Sequence, residues 1–142
     1  MYKPHSVQIL DLTIDKENSK YSGYSFTVNG SAIQFRVAKI TPRKIGQFVV
    51  LYKRNASGCI APYDIKDNID MFIVSCHAQK HFGYFIFPKK ILIEKKILSN
   101  HGLGGKRAIR VYPPWDTTTS RQATKTQQWQ TEYFKEMPSE SI

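Results

Sequence analysis

The segment Tyr24–Ile40, YSFTVNGSAIQFRVAKI, decides the fold. Tyr24 to Val28 alternates aromatic or β-branched residues with small polar ones, which is the period of a half-buried strand. Asn29-Gly30 follows and favours a type I′ turn, because both central positions of that turn need positive φ. Ala32 to Ile40 is predicted to return as the second strand, and Thr41-Pro42 ends it because proline donates no ladder hydrogen bond. The sheet is therefore expected to start with an antiparallel hairpin.

Further strands and helices are predicted along the rest of the chain. The strands are Gln47–Tyr52, Met71–Cys76, His81–Phe87 and Ala108–Tyr112. One helix is expected at Lys89–Leu98, after Pro88, and a second from about Thr119 or Ser120, both good caps, to Met137. Trp129, Tyr133 and Phe134 are favoured as core anchors of the second helix, with stacking of a base on Trp129 as the alternative. We predict one α+β domain over residues 1–137, with a mixed, mostly antiparallel twisted sheet flanked by helices, and a frayed tail at Pro138–Ile142.

Composition places the chain among globular proteins that act away from the membrane. Its 142 residues fit one domain, and 41% of them are hydrophobic. No apolar run approaches the roughly 20 residues that span a bilayer. The stretch Val7–Asp11 is too short and polar for the core of a signal peptide, and the two cysteines, Cys59 and Cys76, suit a reducing compartment. We therefore predict a cytoplasmic protein with no membrane partner.

Charge is distributed unevenly along the chain. Lys and Arg total 21 against 11 Asp and Glu, a formal net charge of +10. No acidic residue lies between Glu17 and Asp64, and from Met71 to Thr131 only Glu94 and Asp116 are acidic. Such a surplus of positive charge attracts phosphate, so DNA or RNA is the predicted partner.

Positive side chains close to aromatic ones favour the binding of single strands, which are gripped by a cationic groove with stacking platforms. Trp115 follows two prolines and precedes a polar loop, so we expect it to be the accessible indole. Bases are predicted to stack on Tyr112 and Trp115. The predicted phosphate contacts are Arg36, Lys39, Arg43, Lys44, Lys53, Arg54, Lys106, Arg107 and Arg110.

An acidic cluster leaves a nuclease as the alternative. Asp64, Asp67 and Asp70 are spaced to hold Mg²⁺ or Mn²⁺, with Lys39 stabilising charge. A nuclease lysine normally follows a second carboxylate by two residues, and here Val37 stands at that place. The favoured interpretation is a solvated acidic loop, with no catalytic site, no metal and no cofactor.

Four segments together resemble the MepB family over about Asn18 to Met137, which is nearly the whole chain. They are Phe35–Val49, Phe82–Lys89, Arg110–Asp116, and Gln122–Gln130 with Tyr133-Phe134. The resemblance implies a fold similar to the PD-(D/E)XK endonucleases, binding of DNA and RNA, and loss of the nuclease carboxylates. Family members carry a helical segment before the first strand, and we expect this chain to lack it or to begin after it. The family's association with a multidrug-efflux operon adds a third possibility, a protein-interaction module of a drug-resistance operon.

Overall fold

The computed structural model describes residues 9–14 and 23–138. The strands in that part of the chain are β1 Ile9–Ile14, β2 Tyr24–Val28, β3 Ser31–Val37, β4 Lys39–Ile40, β5 Gln47–Val50, β6 Tyr52–Arg54, β7 Ile60–Pro62, β8 Met71–Ala78, β9 His81–Pro88, β10 Ala108–Val111 and β11 Phe134–Glu136. The helices there are α1 Lys89–Glu94 and α2 Arg121–Gln130, and a 3-10 turn, Thr131–Tyr133, follows α2. Neither of these two helices is long and apolar enough to span a membrane.

The main sheet has six strands in the order β1-β2-β3-β8-β9-β11. Strands β3 and β8 run parallel, and the other neighbouring pairs are antiparallel. The predicted α+β class with a mixed, mostly antiparallel sheet is confirmed.

The predicted hairpin forms between β2 and β3, but its return strand ends at Val37, and Lys39–Ile40 pairs with β5 in another sheet. Asn29 and Gly30 have φ values of 49° and 86°, the positive pair that a type I′ turn requires. The resulting register places Phe26 opposite Ile33.

A second, smaller sheet packs on the main one. Strands β10, β5 and β4 form a three-stranded antiparallel sheet, and β6 pairs with β7. Val49 and Val111 of the smaller sheet are fully buried in the same core cluster as Phe72 of the main sheet. The cation-rich segments around β4 and β10 therefore belong to this second layer.

Both helices pack on the face of the main sheet that carries Phe87. Leu92 of α1 is fully buried in the core cluster. The ring centroid of Trp129 in α2 lies 5.6 Å from that of Phe87. Tyr133 and Phe134 pack against the same core, so the predicted role of these three aromatic residues as core anchors is confirmed.

The C-terminal helix is shorter than predicted. It ends at Gln130, and Phe134–Glu136 forms an edge strand against β9, with Phe134 opposite Phe85. Gly83 permits this pairing, because a Cβ there would stand 2.6 Å from the carbonyl oxygen of Lys135. Of the predicted frayed tail, Pro138 alone lies within the described residues.

Candidate nucleic-acid interface

Glutamine side chains fasten α2 to strand β10 and to the segment after it. Gln130 is 1% exposed; its Oε1 accepts a hydrogen bond from the backbone N–H of Tyr112 at 2.8 Å, and its Nε2 donates to the carbonyl of Arg110 at 3.1 Å. Gln127 Nε2 donates to the carbonyl of Pro113 at 2.9 Å. A helix with few apolar residues is thus held in place by amide groups that pair with backbone.

Three cavities lie along α2 and run into one another. Their volumes are 340, 430 and 480 Å³. The first two share Arg110 and Tyr112 among their lining residues, and the last two share Lys95 and Trp129. We call this combined cleft the α2 groove.

Positive side chains predominate along the α2 groove. Glu132 is an acidic residue of its lining, whereas the cations that line it are Arg43, Lys44, Lys95, Lys106, Arg110 and Lys125. The ammonium nitrogen of Lys95 lies 5.4 Å from the ring centroid of Trp129, so that a positive charge and an aromatic plane stand together. A cleft of this sign concentrates phosphate groups.

Part of the predicted set of contact residues meets in this groove. The predicted contact residues that line the groove are Arg43, Lys44, Lys106, Arg110 and Tyr112. Lys39, Lys53, Arg54 and Arg107 are not among the lining residues of the groove. The structure therefore brings the cations of the β4–β5 turn together with Lys106 and Arg110 along one groove.

Arg110 positions the turn that carries Arg43 and Lys44. Its guanidinium donates to the carbonyl of Gly46 at 3.1 Å and to the hydroxyl of Thr41 at 2.9 Å. Gly46 has a φ of 87°, and a Cβ there would stand 2.7 Å from the Tyr112 ring. Arg110 is thus both a lining cation of the groove and the clamp that holds its neighbouring turn.

Arg36 is a correction to the predicted contacts. Its side chain is 0% exposed and lies on the core side of the main sheet, with the guanidinium carbon 5.5 Å from the Phe72 ring centroid. Its Nη1 donates to the carbonyl of Phe35 at 3.0 Å. A phosphate cannot reach a side chain buried in this way, so the prediction for Arg36 is wrong.

Lys53 is also engaged within the protein. Its ammonium nitrogen lies 2.7 Å from Oδ2 of Asp67 and 6.0 Å from the ring centroid of Tyr63. An ammonium group already paired with a carboxylate has less attraction for a phosphate, so Lys53 is a weaker candidate than the cations of the α2 groove.

Trp115 is less accessible than its sequence context predicts. Its ring is stacked on His81 with centroids 4.8 Å apart, and it meets the ring of Phe134 at 5.5 Å. Because one face of the indole is covered by His81, Trp115 is a poor platform for a base. Trp129 is the indole that lines the α2 groove.

A fourth cavity, of 190 Å³, lies beside Trp115. We call it the Trp115 cavity; it shares Lys44 and Ile45 with the α2 groove. Asp116 lines it, and burial raises the pKa of that carboxyl, partly offset by a hydrogen bond from the backbone of Gly46.

The aspartate at the start of the acidic cluster is a structural acceptor. Asp64 is 5% exposed, and its Oδ1 accepts from the hydroxyl of Ser99 at 2.6 Å and from the N–H of Gly102 at 2.8 Å. These two hydrogen bonds hold the pKa of Asp64 well below its usual range. Asp64 therefore ties the acidic loop to the glycine-rich loop.

The other two aspartates of the cluster have different partners. Asp67 accepts from the backbone N–H of Asp64 at 2.7 Å, besides its pairing with Lys53, and Asp70 accepts from the N–H of Ala32 at 2.7 Å. Among residues 9–14 and 23–138, no group of three or more His, Cys, Asp or Glu side chains is arranged to hold a metal ion. The carboxylates of the nuclease alternative thus have partners within the protein.

Two cations of the groove, Lys95 and Lys125, are absent from the predicted contact residues. Lys125 and Trp129 are four positions apart on α2 and so share one face of the helix, and Lys95 follows α1 and approaches the same face from across the groove. The spacing of Lys125 and Trp129 was a usable signal. Trp129 was favoured as a core anchor over a stacking surface; it packs against the core and also lines the groove.

The described residues thus define an α+β domain with a basic groove beside its second helix. The family model of the MepB-like proteins matches residues 15–136. A crystal structure of MepB superimposes with a TM-score of 0.87 at 35% sequence identity, covering 94% of this chain and 89% of that one. No curated protein matches the chain. The chain belongs to the MepB-like family.

Proposed function

We propose that this protein binds nucleic acid along the α2 groove, with a preference for single strands of RNA or DNA. The observation that carries the proposal is the continuity of three cavities whose lining includes six basic residues, Arg43, Lys44, Lys95, Lys106, Arg110 and Lys125. Scattered surface lysines give no such path. A connected row of cations can follow a phosphate backbone.

Aromatic side chains in the same groove favour single strands over duplexes. Trp129 and Tyr112 both line its central cavity, which has a volume of 430 Å³. Unpaired bases stack on such rings, a contact worth about 1–3 kcal/mol per base, whereas bases inside a duplex are already stacked on each other. Partly exposed aromatic rings in a basic cleft are therefore of most use to an unpaired strand.

Several finer points stay predictions. The likeness to the PD-(D/E)XK endonuclease fold and the association with a resistance operon rest on the family resemblance. A cytoplasmic location is supported by two thiols, the exposed Cys59 and the buried Cys76, neither of which is in a disulfide.

Fluorescence anisotropy with labelled single-stranded RNA, single-stranded DNA and duplex DNA tests the proposal. We expect the single strands to bind more tightly, and Lys106→Gln to weaken binding severalfold, because one phosphate contact is lost. Lys66→Gln is the matched control, since Lys66 is exposed but lines none of the four cavities.

Two results would count against the proposal. Equal weakening by both lysine variants would mean that the net charge, and not the groove, governs binding. Cleavage of the strands on addition of Mg²⁺ or Mn²⁺, abolished in Asp70→Asn, would favour the nuclease alternative.

A further inference from the structure

One end of the α2 groove gathers positive charge. Among the described residues, those that line the 340 Å³ cavity include the cations Arg43, Lys44 and Arg110 and no acid. We call this space the Arg43 cavity. It is an end member of the groove, because it shares Arg110 and Tyr112 with the central cavity, whereas none of its described lining residues recurs in the 480 Å³ cavity. Like charges that stand close together repel each other, so an anion placed among them is favoured.

Hydrogen bonds from Arg110 hold the turn that carries the other two cations. Its guanidinium donates to the Thr41 hydroxyl at 2.9 Å and to the carbonyl of Ile45 at 3.2 Å, and Arg43 and Lys44 lie between these two contact points in the chain. Arg43 has a φ of 65°, which residues other than glycine seldom adopt, so the turn depends on this support. Both Arg43 and Lys44 are exposed and line the cavity, so a ligand in its open space can reach them.

The two ends of the α2 groove differ in charge. The 480 Å³ cavity at the opposite end is lined by two cations, Lys95 and Lys125, and by one acid, Glu132. The formal charge of the lining is therefore +3 at the Arg43 cavity and +1 at the opposite end. A phosphodiester inside a strand carries one negative charge, whereas a terminal phosphate monoester carries about 1.5 to 2 at neutral pH. The more positive end of the groove suits the more highly charged group.

We propose that the Arg43 cavity binds the terminal phosphate monoester of a single strand that lies in the α2 groove. A guanidinium can donate two parallel hydrogen bonds to phosphate oxygens, and an ammonium adds a compact positive charge. A cavity of about 150 Å³ holds a benzene ring, so 340 Å³ accommodates a phosphate group. Tyr112 lines both this cavity and the central one, where the terminal base can stack on its ring. The inference rests on the proposed function, because the rest of the strand occupies the groove.

Octauridylate with an internal fluorophore provides the test, in three forms that carry a phosphate on the 5′ end, on the 3′ end or on neither. We expect one of the two phosphorylated forms to bind about tenfold more tightly than the unphosphorylated strand in fluorescence anisotropy, because charge-assisted hydrogen bonds are gained. The ends of the groove differ in charge, so the form that gains shows which end of the strand enters the Arg43 cavity.

Two variants locate the phosphate within the groove. Arg43→Gln should reduce the gain from the terminal phosphate severalfold, because it removes one of the three cations of the cavity. Lys125→Gln is the matched control at the opposite end, where it should weaken the binding of all three strands and leave the gain from the phosphate unchanged. Both side chains are exposed, so neither substitution disturbs the core.

The outcomes separate this inference from the proposed function. If the strands bind in a salt-dependent way but with equal affinities, or if the 5′ and 3′ phosphates strengthen binding equally, the terminal-phosphate site is refuted and the groove is not. A gain that persists in Arg43→Gln and is lost in Lys125→Gln would likewise refute the site. If no oligonucleotide binds, both proposals are refuted. The comparison of the three strands uses the unaltered protein, so it does not depend on any variant folding.

Discussion

The two hydrogen bonds of the Gln130 side chain are predicted to hold the groove together. In Gln130→Ala the N–H of Tyr112 and the carbonyl of Arg110 lose their side-chain partner, which sits at 2.8 and 3.1 Å in the native protein. Each lost hydrogen bond costs about 1–1.5 kcal/mol, so the free energy of unfolding should fall by about 2–3 kcal/mol. That change corresponds to a shift of about 1–2 M in the urea midpoint.

Urea unfolding followed by tryptophan fluorescence measures this change, with Gln128→Ala as the matched control. Gln128 is exposed on the same helix, so both substitutions change helix propensity alike and only one removes the two hydrogen bonds. Gln130→Glu refines the test: its ionised carboxylate can accept from Tyr112 but cannot donate to Arg110, and protonation at low pH restores the donor. Equal midpoints for Gln130→Ala and Gln128→Ala would refute the role of the amide.

Three further outcomes are expected. In the same anisotropy assay, Lys53→Gln should weaken single-strand binding less than substitution of a groove lysine does, because the Lys53 ammonium already lies 2.7 Å from Asp67. Equal weakening by the two substitutions would contradict this. Gly83→Ala should lower the melting temperature and reduce the free energy of unfolding by about 1–3 kcal/mol, because the new Cβ would be forced against β11. The pKa of Asp64 is lowered in the folded protein. The ionised carboxylate therefore stabilises the fold at pH values above about 4, the ordinary pKa of an aspartate, and this stabilisation is lost as the pH falls below that value. Denaturation at pH 5 and pH 2.5 should therefore show a smaller acid loss in Asp64→Asn than in the native protein, and an unchanged loss would show that its hydrogen bonds do not lower the pKa.

The local elements of the fold were predictable where the sequence carries local signals. The turn residues Asn29-Gly30 fix the hairpin through their positive φ, and Ser120 caps α2 through a hydrogen bond from the N–H of Ala123 at 3.0 Å. The end of α2 could not be predicted from the helical spacing of its aromatic residues alone. Phe134 continues the helical spacing of the aromatic residues, but its place opposite Phe85 is set by contact with β9, which lies about fifty positions earlier.

The candidate site was predictable in composition and less so in arrangement. The cations of the β4–β5 turn and of β10 were found because they stand close together in sequence. Arg36 was misassigned, because alternation along β3 tells which residues share a face and not which face is covered. Lys95 was missed because its approach to Trp129 depends on how α1 and α2 are packed.

The salt dependence of single-strand binding tests the α2 groove most directly. The logarithm of the association constant should fall linearly with the logarithm of salt concentration, at a slope of about −0.7 for each phosphate contact. Replacing Lys95 and Lys106 together by glutamine should make that slope shallower by about 1.4, because two contacts are removed. An identical slope for the native protein and the double variant would contradict the account.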